Sequence, residues 1–326
     1  MYDTIGLWLR AIDYPKVNFP NDIIKHFEDA GVYKPTKNSK SKYYLINLDG
    51  LKISVSENGL RIKEGSLCRW FKGNNIETLN RIETKRAIEK LSDILHVPME
   101  KAFVTGLDVA KTFSVKYPVS VYLNHLGELE GFKRMPVVNE KILEGLNYFQ
   151  DKRKQGIMLI FYDKNAERGE KGCPIHIHYQ NKYLFRFELR FKKGFSKIFG
   201  ERIQANKLYN EEFYADIVLW YVGTYNAIQK VNDISLDFTK LHGKQDLYAM
   251  GVLALAEREG GQLALLAQVE EAQKTGQINK NQAWSIRGKI NEICTDTGFT
   301  AINDYILELD RKMEKIEKRY NEKLSK

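Results

Sequence analysis

The chain has 326 residues, and its 51 Lys and Arg against 42 Asp and Glu leave a net charge of +9. Single hydrophobic cores stop growing near ~250–300 residues, so this length predicts two structural units. The three cysteines are widely spaced, odd in number and lack a C-x-x-C pair, so neither a disulfide framework nor a thiolate zinc site is indicated. No apolar run reaches the ~18 residues of a membrane span, and the first ten residues lack the layout of a signal peptide, so we expect a cytoplasmic protein with no membrane partner.

The first hundred residues predict short strands followed by a helix. The alternating segment MYDTIGLWLRAIDYP predicts the first strand, and YYLINL, LKISVS, LRIKEG and SLCRWFKG predict four more. Asp-Gly at 49–50 and Asn-Gly at 58–59 are hairpin turn signals. The segment TLNRIETKRAIEKLSDIL then has apolar residues at helical spacing and predicts an amphipathic helix.

The next hundred residues predict one long strand, one helix and two hairpins. KAFVTGLDVAKTF has strand alternation, and PVSVYLNHLGEL predicts a helix that begins near Pro118. LNYFQDKRKQGIMLIFYDK predicts a hairpin around a basic turn, and PIHIHY with YLFRFELRFKK predicts a second hairpin. This order predicts an α+β domain over residues 1–240, with a largely antiparallel sheet and flanking helices.

Beyond about residue 205 the periodicity is helical. Segments within 241–326 predict a separate helical C-terminal domain, and the charged last twenty residues suggest a projecting helix.

Positive charge is concentrated in one segment. Residues 151–200 contain twelve Lys and Arg and five Asp and Glu, so this segment alone contributes +7. Such a segment favours a polyanionic partner, for which nucleic acid is the commonest candidate, although a solvated basic surface is the alternative.

Ionisable groups recur on one face of the strands predicted in this segment. A two-residue stride places Tyr162 and Lys164 on the same face. In LFRFELRFKK the stride separates two sets of residues. Phe185, Phe187, Leu189 and Phe191 are predicted to form core, whereas Arg186, Glu188, Arg190 and Lys192 are predicted to point outward.

Two histidines and one aspartate extend this set. His176 and His178 share a face of the preceding predicted strand, and the second hairpin would place His176 across from Glu188. Asp108 follows Gly106, whose missing side chain leaves room for a ligand or ion. A half-solvated sheet also alternates polar and apolar residues, and an isolated H-x-H pair is often incidental, so only the convergence points to a site.

The chemistry of this set suits cleavage of a phosphodiester. A tyrosine hydroxyl with an ordinary pKa of ~10 is a poor nucleophile, but a divalent cation and cationic side chains can stabilise the charge that develops during attack. Carboxylates, with His as a further ligand, suit Mg²⁺ or Mn²⁺. The product would be a phosphotyrosine bond between protein and DNA.

At these residues the sequence resembles the replication initiators of the phage and plasmid gene II/X family, which includes the filamentous-phage rolling-circle initiator and is related to the HUH endonucleases. The similarity runs in order through MYDTIGLWL, EGSLCRWFKGNN, VTGLDVAKTF, LIFYDK and LFRFELRFKKGFSKIFG, over residues 1 to about 205. It implies an enzyme that nicks origin DNA, keeps the 5′-phosphate on a tyrosine, leaves a 3′-hydroxyl primer and later rejoins the strand. It also implies single-stranded or locally melted origin DNA, and a host helicase and polymerase in a bacterial cytoplasm, as partners.

The resemblance assigns roles to residues of this chain. Tyr162 matches the nucleophile, with Lys164 beside it, and Arg186 and Glu188 match an Arg-Phe-Glu motif. The implied metal ligands are Asp108, Glu188, His176 and His178. The chain departs from the family pattern at Gly106, where relatives often have Arg, and in the H-x-H pair, which follows the tyrosine although in HUH initiators it usually precedes it.

DNA contacts are expected from two sets of residues. The segment GSLCRWFKGNN mixes charge, an aromatic plane and amides, as binding to an unpaired strand would favour, and an edge strand and turn are the alternative. The expected contacts are Arg69, Trp70, Lys72 and Asn74, together with Arg186, Arg190 and Lys192. A mobilisation relaxase and a non-catalytic DNA-binding regulator remain alternative functions.

Overall fold

The computed structural model of the chain describes residues 1–19, 21–27, 31–33, 43–139, 142–150, 156–172, 177–192, 194–231, 233–234, 239, 241–295, 300–301 and 303–324. The strands are Tyr2–Arg10 (β1), Gly31–Tyr33 (β2), Tyr43–Leu48 (β3), Leu51–Ser56 (β4), Gly59–Glu64 (β5), Phe103–Val115 (β6), Phe132–Asn139 (β7), Ile142–Gln150 (β8), Ile157–Asp163 (β9), Tyr183–Phe191 (β10), Asp233–Ile234 (β11) and Thr300–Ala301 (β12). The α-helices are Asn21–Ile24 (α1), Leu67–Lys72 (α2), Arg81–Leu95 (α3), Val119–Asn124 (α4), Lys164–Glu170 (α5), Phe195–Ile198 (α6), Glu211–Asn226 (α7), Lys244–Arg258 (α8), Gln262–Lys274 (α9), Lys280–Thr295 (α10) and Asp304–Leu324 (α11).

Ten strands form one sheet in the order β2-β3-β4-β5-β1-β6-β10-β9-β8-β7. Every neighbouring pair in it is antiparallel. The predicted α+β class, with a largely antiparallel sheet, flanking helices and further helices at the C-terminal end, is therefore confirmed.

The hairpins of β3, β4 and β5 form where the sequence predicted them. Asp49 and Gly50 both have positive φ in the first turn, a conformation that glycine adopts without steric cost. Along β4, Leu51, Ile53 and Val55 are buried and the residues between them are not. One face of these strands therefore packs on the core, and the other is open.

Helices cover the apolar face of the sheet. The Phe187 ring of β10 stacks on Tyr221 of α7, with centroids 4.2 Å apart, and the Tyr221 hydroxyl donates to the Phe187 carbonyl over 3.1 Å. Helix α3 begins with a capping box between Asn80 and Glu83, which satisfies backbone N–H groups that a helix start leaves unpaired. None of the helices among the described residues is long and apolar enough to cross a bilayer.

Two predicted strand segments are wrong. Residues 67–72, predicted as a strand, form α2, since Ser66 caps it by accepting from the Arg69 N–H and Gly73 ends it with positive φ. In place of the predicted second hairpin, β10 pairs with β6 and with β9, and Ile177–Tyr179 forms a short 3₁₀ helix, while residues 174–176 lie outside the described residues.

The buried apolar residues divide the chain differently from the predicted boundary at 240. A second core contains Met250, Leu253, Ala256, Leu265, Leu266, Val269, Ala283, Ile290, Ile293 and Cys294, all from α8, α9 and α10. Helix α11 instead returns to the main core through Ile306, Leu309, Met313 and Ile316, and it packs on α7. The expected projecting helix is therefore half-buried along one side.

Candidate active site

Three central strands bring the predicted site residues onto one face of the sheet. In antiparallel pairs, directly opposite residues project to the same side. The rows across β6, β10, β9 and β8 are Thr112-Arg186-Tyr162-Gly145, Ala110-Glu188-Ile160-Asn147 and Asp108-Arg190-Met158-Phe149. The predicted separation of polar and apolar positions on β10 is correct, since Phe185, Phe187, Leu189 and Phe191 are fully buried in the core on the other side.

Glu188 lies at the centre of the polar cluster. Its Oε1 accepts hydrogen bonds from the Tyr162 hydroxyl and from Arg186 Nε, each over 2.8 Å. Its Oε2 accepts from Arg190 Nε over 2.8 Å and also from Arg190 Nη2. One carboxylate thus joins the phenol to two guanidinium groups.

Arg186 is buried, contrary to the outward position predicted for it. Besides Glu188, its guanidinium donates to Asp3, to the Thr112 hydroxyl over 3.0 Å and to the Asn75 carbonyl over 2.9 Å. The predicted DNA contact by Arg186 is wrong, because a side chain with no exposed surface and all three nitrogens bonded inside the protein cannot also reach DNA. Its role here is to hold the cluster together.

Asp108 and Arg190 form the more exposed edge of the cluster. Asp108 Oδ2 lies 3.6 Å from Arg190 Nε, so Arg190 bridges Asp108 and Glu188. The Arg190 side chain is 27% exposed and the Asp108 side chain 18%. Of the arginines in the cluster, Arg190 is therefore the one that an incoming phosphate could reach.

The environment shifts the pKa values of these groups in opposite directions. Burial alone would raise the pKa of Glu188, but Arg186 and Arg190 outweigh it and lower that pKa to about 2. Burial raises the pKa of Asp108 to about 6, although Arg190 opposes the shift. Burial, together with the Glu188 charge, raises the pKa of Tyr162 above its ordinary value, so the phenol keeps its proton at rest.

Lys164 lies beside the tyrosine in a different setting from the one predicted. It is the first residue of α5 rather than a strand residue, and its ammonium is 5.6 Å from the centroid of the Tyr162 ring. The side chain is buried, and it donates to Glu167 over 2.8 Å. Burial lowers the pKa of Lys164, and the nearby Arg186 adds to this shift. The predicted proximity of Tyr162 and Lys164 is therefore found.

The predicted metal ligands do not make a metal centre among the described residues. His178 is exposed in a short 3₁₀ helix at Ile177–Tyr179, not on a strand, and His176 lies outside the described residues. Glu188 pairs in register with Ala110 and Ile160, so the expected position of His176 across from it is wrong. Within the described part of the chain no group of three or more His, Cys, Asp or Glu could hold an ion. The two remaining carboxylates do not fit a divalent cation as arranged, because Arg190 already occupies the space between them.

The segment around α2 is also more structural than predicted. Trp70 is only 9% exposed and packs under Lys90, whose ammonium is 4.9 Å from its ring, so it has no open plane for a base. Lys72 forms ion pairs with Glu77 and Glu83, at 2.8 and 3.0 Å. The Asn74 side chain accepts from the Ile76 N–H over 3.2 Å, and Arg69 is exposed. Lys192 is exposed just beyond β10.

Sequence reasoning missed two polar partners of the cluster. Asp3 of β1 is 5% exposed and accepts from both Arg186 and Ser66. Thr112 of β6 accepts from Arg186 and donates to the Ile76 carbonyl over 2.7 Å. The placement of Asp3 depends on an irregularity in the β1–β6 pairing between Tyr2 and Ile5, for which the sequence pattern gave no signal.

A cleft of about 310 Å³ opens beside the cluster. Its lining includes Tyr162, Arg190, Asn147 and Glu167, from β9, β10, β8 and α5, and Lys171 just beyond α5. The cleft gives a solvent-side approach to the tyrosine and to Arg190. A phosphate entering it would meet both side chains.

Comparison with known proteins identifies the family. The family model for the N-terminal part of a phage replication-associated protein, the gene II protein, matches residues 1–212, and the chain belongs to this family. The membership predicted from the five motifs is confirmed. No curated protein matched the sequence. Among solved structures the chain is similar to a rolling circle replication initiator protein from Geobacillus stearothermophilus, with 13% identity, a TM-score of 0.41 and coverage of 78% of this chain and 95% of that chain.

Proposed function

We propose that the chain is a rolling-circle replication initiator that nicks and rejoins origin DNA through a covalent 5′-phosphotyrosine bond at Tyr162. The observation that carries the proposal is the hydrogen bond from the Tyr162 hydroxyl to Glu188, inside a cluster of cations, in a chain of a replication-associated family. The cluster combines a nucleophile, an acceptor for its proton and positive charge for a phosphate.

The bonding around Tyr162 suggests how the nucleophile is formed. The phenol oxygen attacks phosphorus as its proton passes to Glu188, and the bond to the 3′-oxygen breaks, leaving a 3′-hydroxyl after protonation. At rest Glu188 is a weak base, because two arginines hold its pKa near 2. Resting Tyr162 is therefore protected from deprotonation until the cluster rearranges.

Arg190 is the group that could cause that rearrangement. Its guanidinium holds Glu188 and Asp108, and it is the more exposed of the two arginines in the cluster. A phosphate that draws Arg190 away from Glu188 removes one of the two charges that keep the Glu188 pKa low, so Glu188 becomes a stronger base. Substrate binding would thereby prepare the acceptor for the tyrosine proton.

Several finer points belong to the same proposal. The melted origin DNA and the host helicase and polymerase come from the resemblance. A requirement for Mg²⁺ or Mn²⁺ has the same origin, and Asp108 and Glu188 could hold such an ion only if Arg190 left the space between them. The domain that performs the nicking would comprise the sheet and the helices that share its core, with α8–α10 as a separate helical unit.

The test is formation of a denaturant-resistant adduct with labelled single-stranded oligonucleotides that tile the replicon carrying the gene. We expect an adduct with wild type, none with Tyr162→Phe, and an unchanged yield with Tyr183→Phe, whose ring is 42% exposed at the start of β10. Oligonucleotide binding by Tyr162→Phe should stay within a few-fold of wild type. The same assay in Mg²⁺, Mn²⁺ and EDTA measures the cation requirement.

Two outcomes would support the alternatives. Tight duplex binding without any adduct under all metal conditions would favour a non-catalytic regulator. An adduct combined with plasmid transfer, but without replication of a reporter replicon, would favour a mobilisation relaxase. An unchanged adduct with Tyr162→Phe would remove Tyr162 from the mechanism.

A further inference from the structure

The polar face that carries Tyr162 continues across the N-terminal strands of the sheet. The register places Leu45, Ser54, Arg61, Trp8 and Phe103 in one row over β3, β4, β5, β1 and β6. Trp8 lies two residues from Gly6, and Gly6 is directly opposite Gly106, two residues from Asp108. The pairing of β6 with β1 shifts register by one residue between Gly6 and Leu7, so Phe103 and Asp108, five residues apart, still lie on the same face.

This part of the face is open, whereas the part over Arg186 is covered. Two adjoining depressions of about 520 and 260 Å³ lie on it, and both include Trp8 in their walls. The charged groups that line them are Lys52, Arg61, Lys63 and Glu64 in the larger depression, and Arg10 and Arg202 in the smaller one. Five cations against one acid give these depressions a net positive charge.

Guanidinium groups lie over both aromatic rings of the row. The Arg61 guanidinium carbon is 4.1 Å from the centroid of the Trp8 ring, and the corresponding distance from Arg10 to the Phe103 ring is 4.8 Å. Lys52 and Arg10 bond to Glu64 and Asp13 in partly exposed ion pairs. Exposed pairs contribute little free energy, so both cations can turn to a phosphate.

We propose that this surface, the N-terminal track formed by Trp8, Arg10, Lys52, Arg61, Lys63 and Phe103, binds the single-stranded DNA that leads to Tyr162. Unlike the buried Trp70, both rings are partly exposed, so bases of an unpaired strand can stack on their exposed parts while the guanidinium groups beside them contact phosphates. Duplex reading instead requires an element that enters a groove, and a flat sheet face offers none. The proposal rests on the proposed function and adds to it the surface that holds the substrate.

The track and the cluster are close enough to share one strand. Phe103 and Asp108 are five residues apart on β6, which corresponds to roughly 17 Å along an extended strand. Gly6 and Gly106, which are opposite each other, lie between them, so no side chain from this pair stands above the sheet along the route of the strand. Gly106 has no room for a side chain without adjustment, because an added Cβ would approach the Phe191 carbonyl oxygen to 3.2 Å.

The test compares two variants that each remove two positive charges. Arg61→Ala/Lys63→Ala alters the track, and Lys85→Ala/Lys274→Ala alters exposed lysines on α3 and α9 as a matched control. Binding of a fluorescein-labelled single-stranded oligonucleotide of randomised sequence is measured by anisotropy over a range of salt concentrations. We expect the track variant to bind at least ~10-fold more weakly and to lose about 1.4 from the slope of log K against log salt, since each lost contact to a single strand contributes ~0.7.

Thermal melting guards against a folding defect, and Lys63→Glu, a change at an exposed side chain, repeats the test without disturbing the Trp8–Arg61 contact. The proposal is overturned if the track variants bind the single strand as the control does, or lose only duplex binding. Adduct formation by wild type is scored separately. If wild type forms the adduct and the track variants bind the single strand normally, the proposed track is wrong but the proposed chemistry is not. If the track variants lose single-strand binding and wild type forms no adduct, the proposed chemistry is wrong but the track is not.

Discussion

At the scale of single residues, the sequence predicted that charged side chains of β10 share one face of the sheet. It did not predict that some of them would be buried and hydrogen-bonded inside the protein. Arg186 and Glu188 were expected to face solvent, yet their side chains are 0% and 3% exposed. The strand alternation defines the two faces of β10, whereas cover over the polar face comes from Asp3, Thr112 and the backbone near Asn75, which are distant in sequence. Because these contacts join residues that are distant in sequence, the hydrophobic periodicity of β10 does not reveal them.

Arg186→Leu should lower the free energy of unfolding by about 3–5 kcal/mol, because Asp3 and Glu188 would be left as buried charges without a full set of partners. Lys192→Leu, at an exposed position of the same chain segment, should change it by less than ~0.5 kcal/mol. Urea denaturation of both variants provides the measurement. Equal effects of the two substitutions would show that the Arg186 network does not stabilise the fold.

Asp108 gives a pH dependence with a definite sign. Its pKa is about 6 in the folded chain against an ordinary value of 3.8, so between these values the folded state holds a proton that the unfolded state has released. The contribution of Asp108 to the free energy of unfolding therefore falls as pH rises through this window, by up to ~3 kcal/mol. Glu188 has the opposite sign, since its lowered pKa makes its contribution fall as pH drops below 4.5.

Asp108→Asn should remove the decrease in the free energy of unfolding between pH 3.8 and 6. The substitution should leave the decrease that Glu188 causes at lower pH unchanged. Urea denaturation at several pH values, with wild type and Asp108→Asn in parallel, measures the difference between the two slopes. If the free energy of unfolding falls as steeply between pH 3.8 and 6 in Asp108→Asn as in wild type, a group other than Asp108 causes the fall.

At the scale of elements, the strands with clear alternation and turn signals were predicted well. β1, β3, β4, β5, β6, β8, β9 and β10 all lie where the pattern placed them. The strand predicted at 67–72 failed because Ser66 and Gly73 supply the start and end of a helix, local chemistry that outweighs the apolar run between them. Pattern alone could not predict the neighbours of β10, because strand pairing depends on the whole sheet, and β10 pairs with β6 and β9 rather than with the segment before it.

Helix α5 positions Lys164 beside the tyrosine, and its start depends on one side chain. Asp163 accepts from the Asn165 N–H over 2.8 Å and from the Ala166 N–H over 3.3 Å. Asp163→Ala should therefore lower the free energy of unfolding by about 0.5–2 kcal/mol and raise the hydrogen-exchange rates of the α5 amides. Asp163→Asn keeps a side-chain acceptor, so the α5 amides should stay protected from exchange. Similar exchange in both variants would mean that packing, rather than the cap, holds this helix.

At the scale of the whole molecule, the division into two domains at residue 240 stays a prediction, but the buried side chains group α11 with the main core and α8, α9 and α10 in a second one. Segment length and helical period predicted the C-terminal helices correctly. They could not show that α11 packs on α7 while α8, α9 and α10 share a core of their own, because helical amphipathicity identifies a buried face without identifying its partner. Helix α11 therefore contributes to the same core as β1.

Two buried leucines test this division with the same substitution. Leu309→Ala in α11 and Leu253→Ala in α8 each remove a fully buried side chain and should each cost about 2–5 kcal/mol. Hydrogen exchange should rise in α7 and the central strands for the first variant, and in α9 and α10 for the second. A rise in the same segments for both would show one cooperative unit.

In the proposed reaction, the phenol that donates to Glu188 becomes bonded to DNA. The most direct measurement is mass spectrometry of the adduct formed between wild-type protein and single-stranded DNA, after digestion of both protein and DNA. We expect a nucleotide phosphate on the peptide that contains Tyr162. A phosphate on a peptide bearing another tyrosine, or no modified peptide under any metal condition, would contradict it.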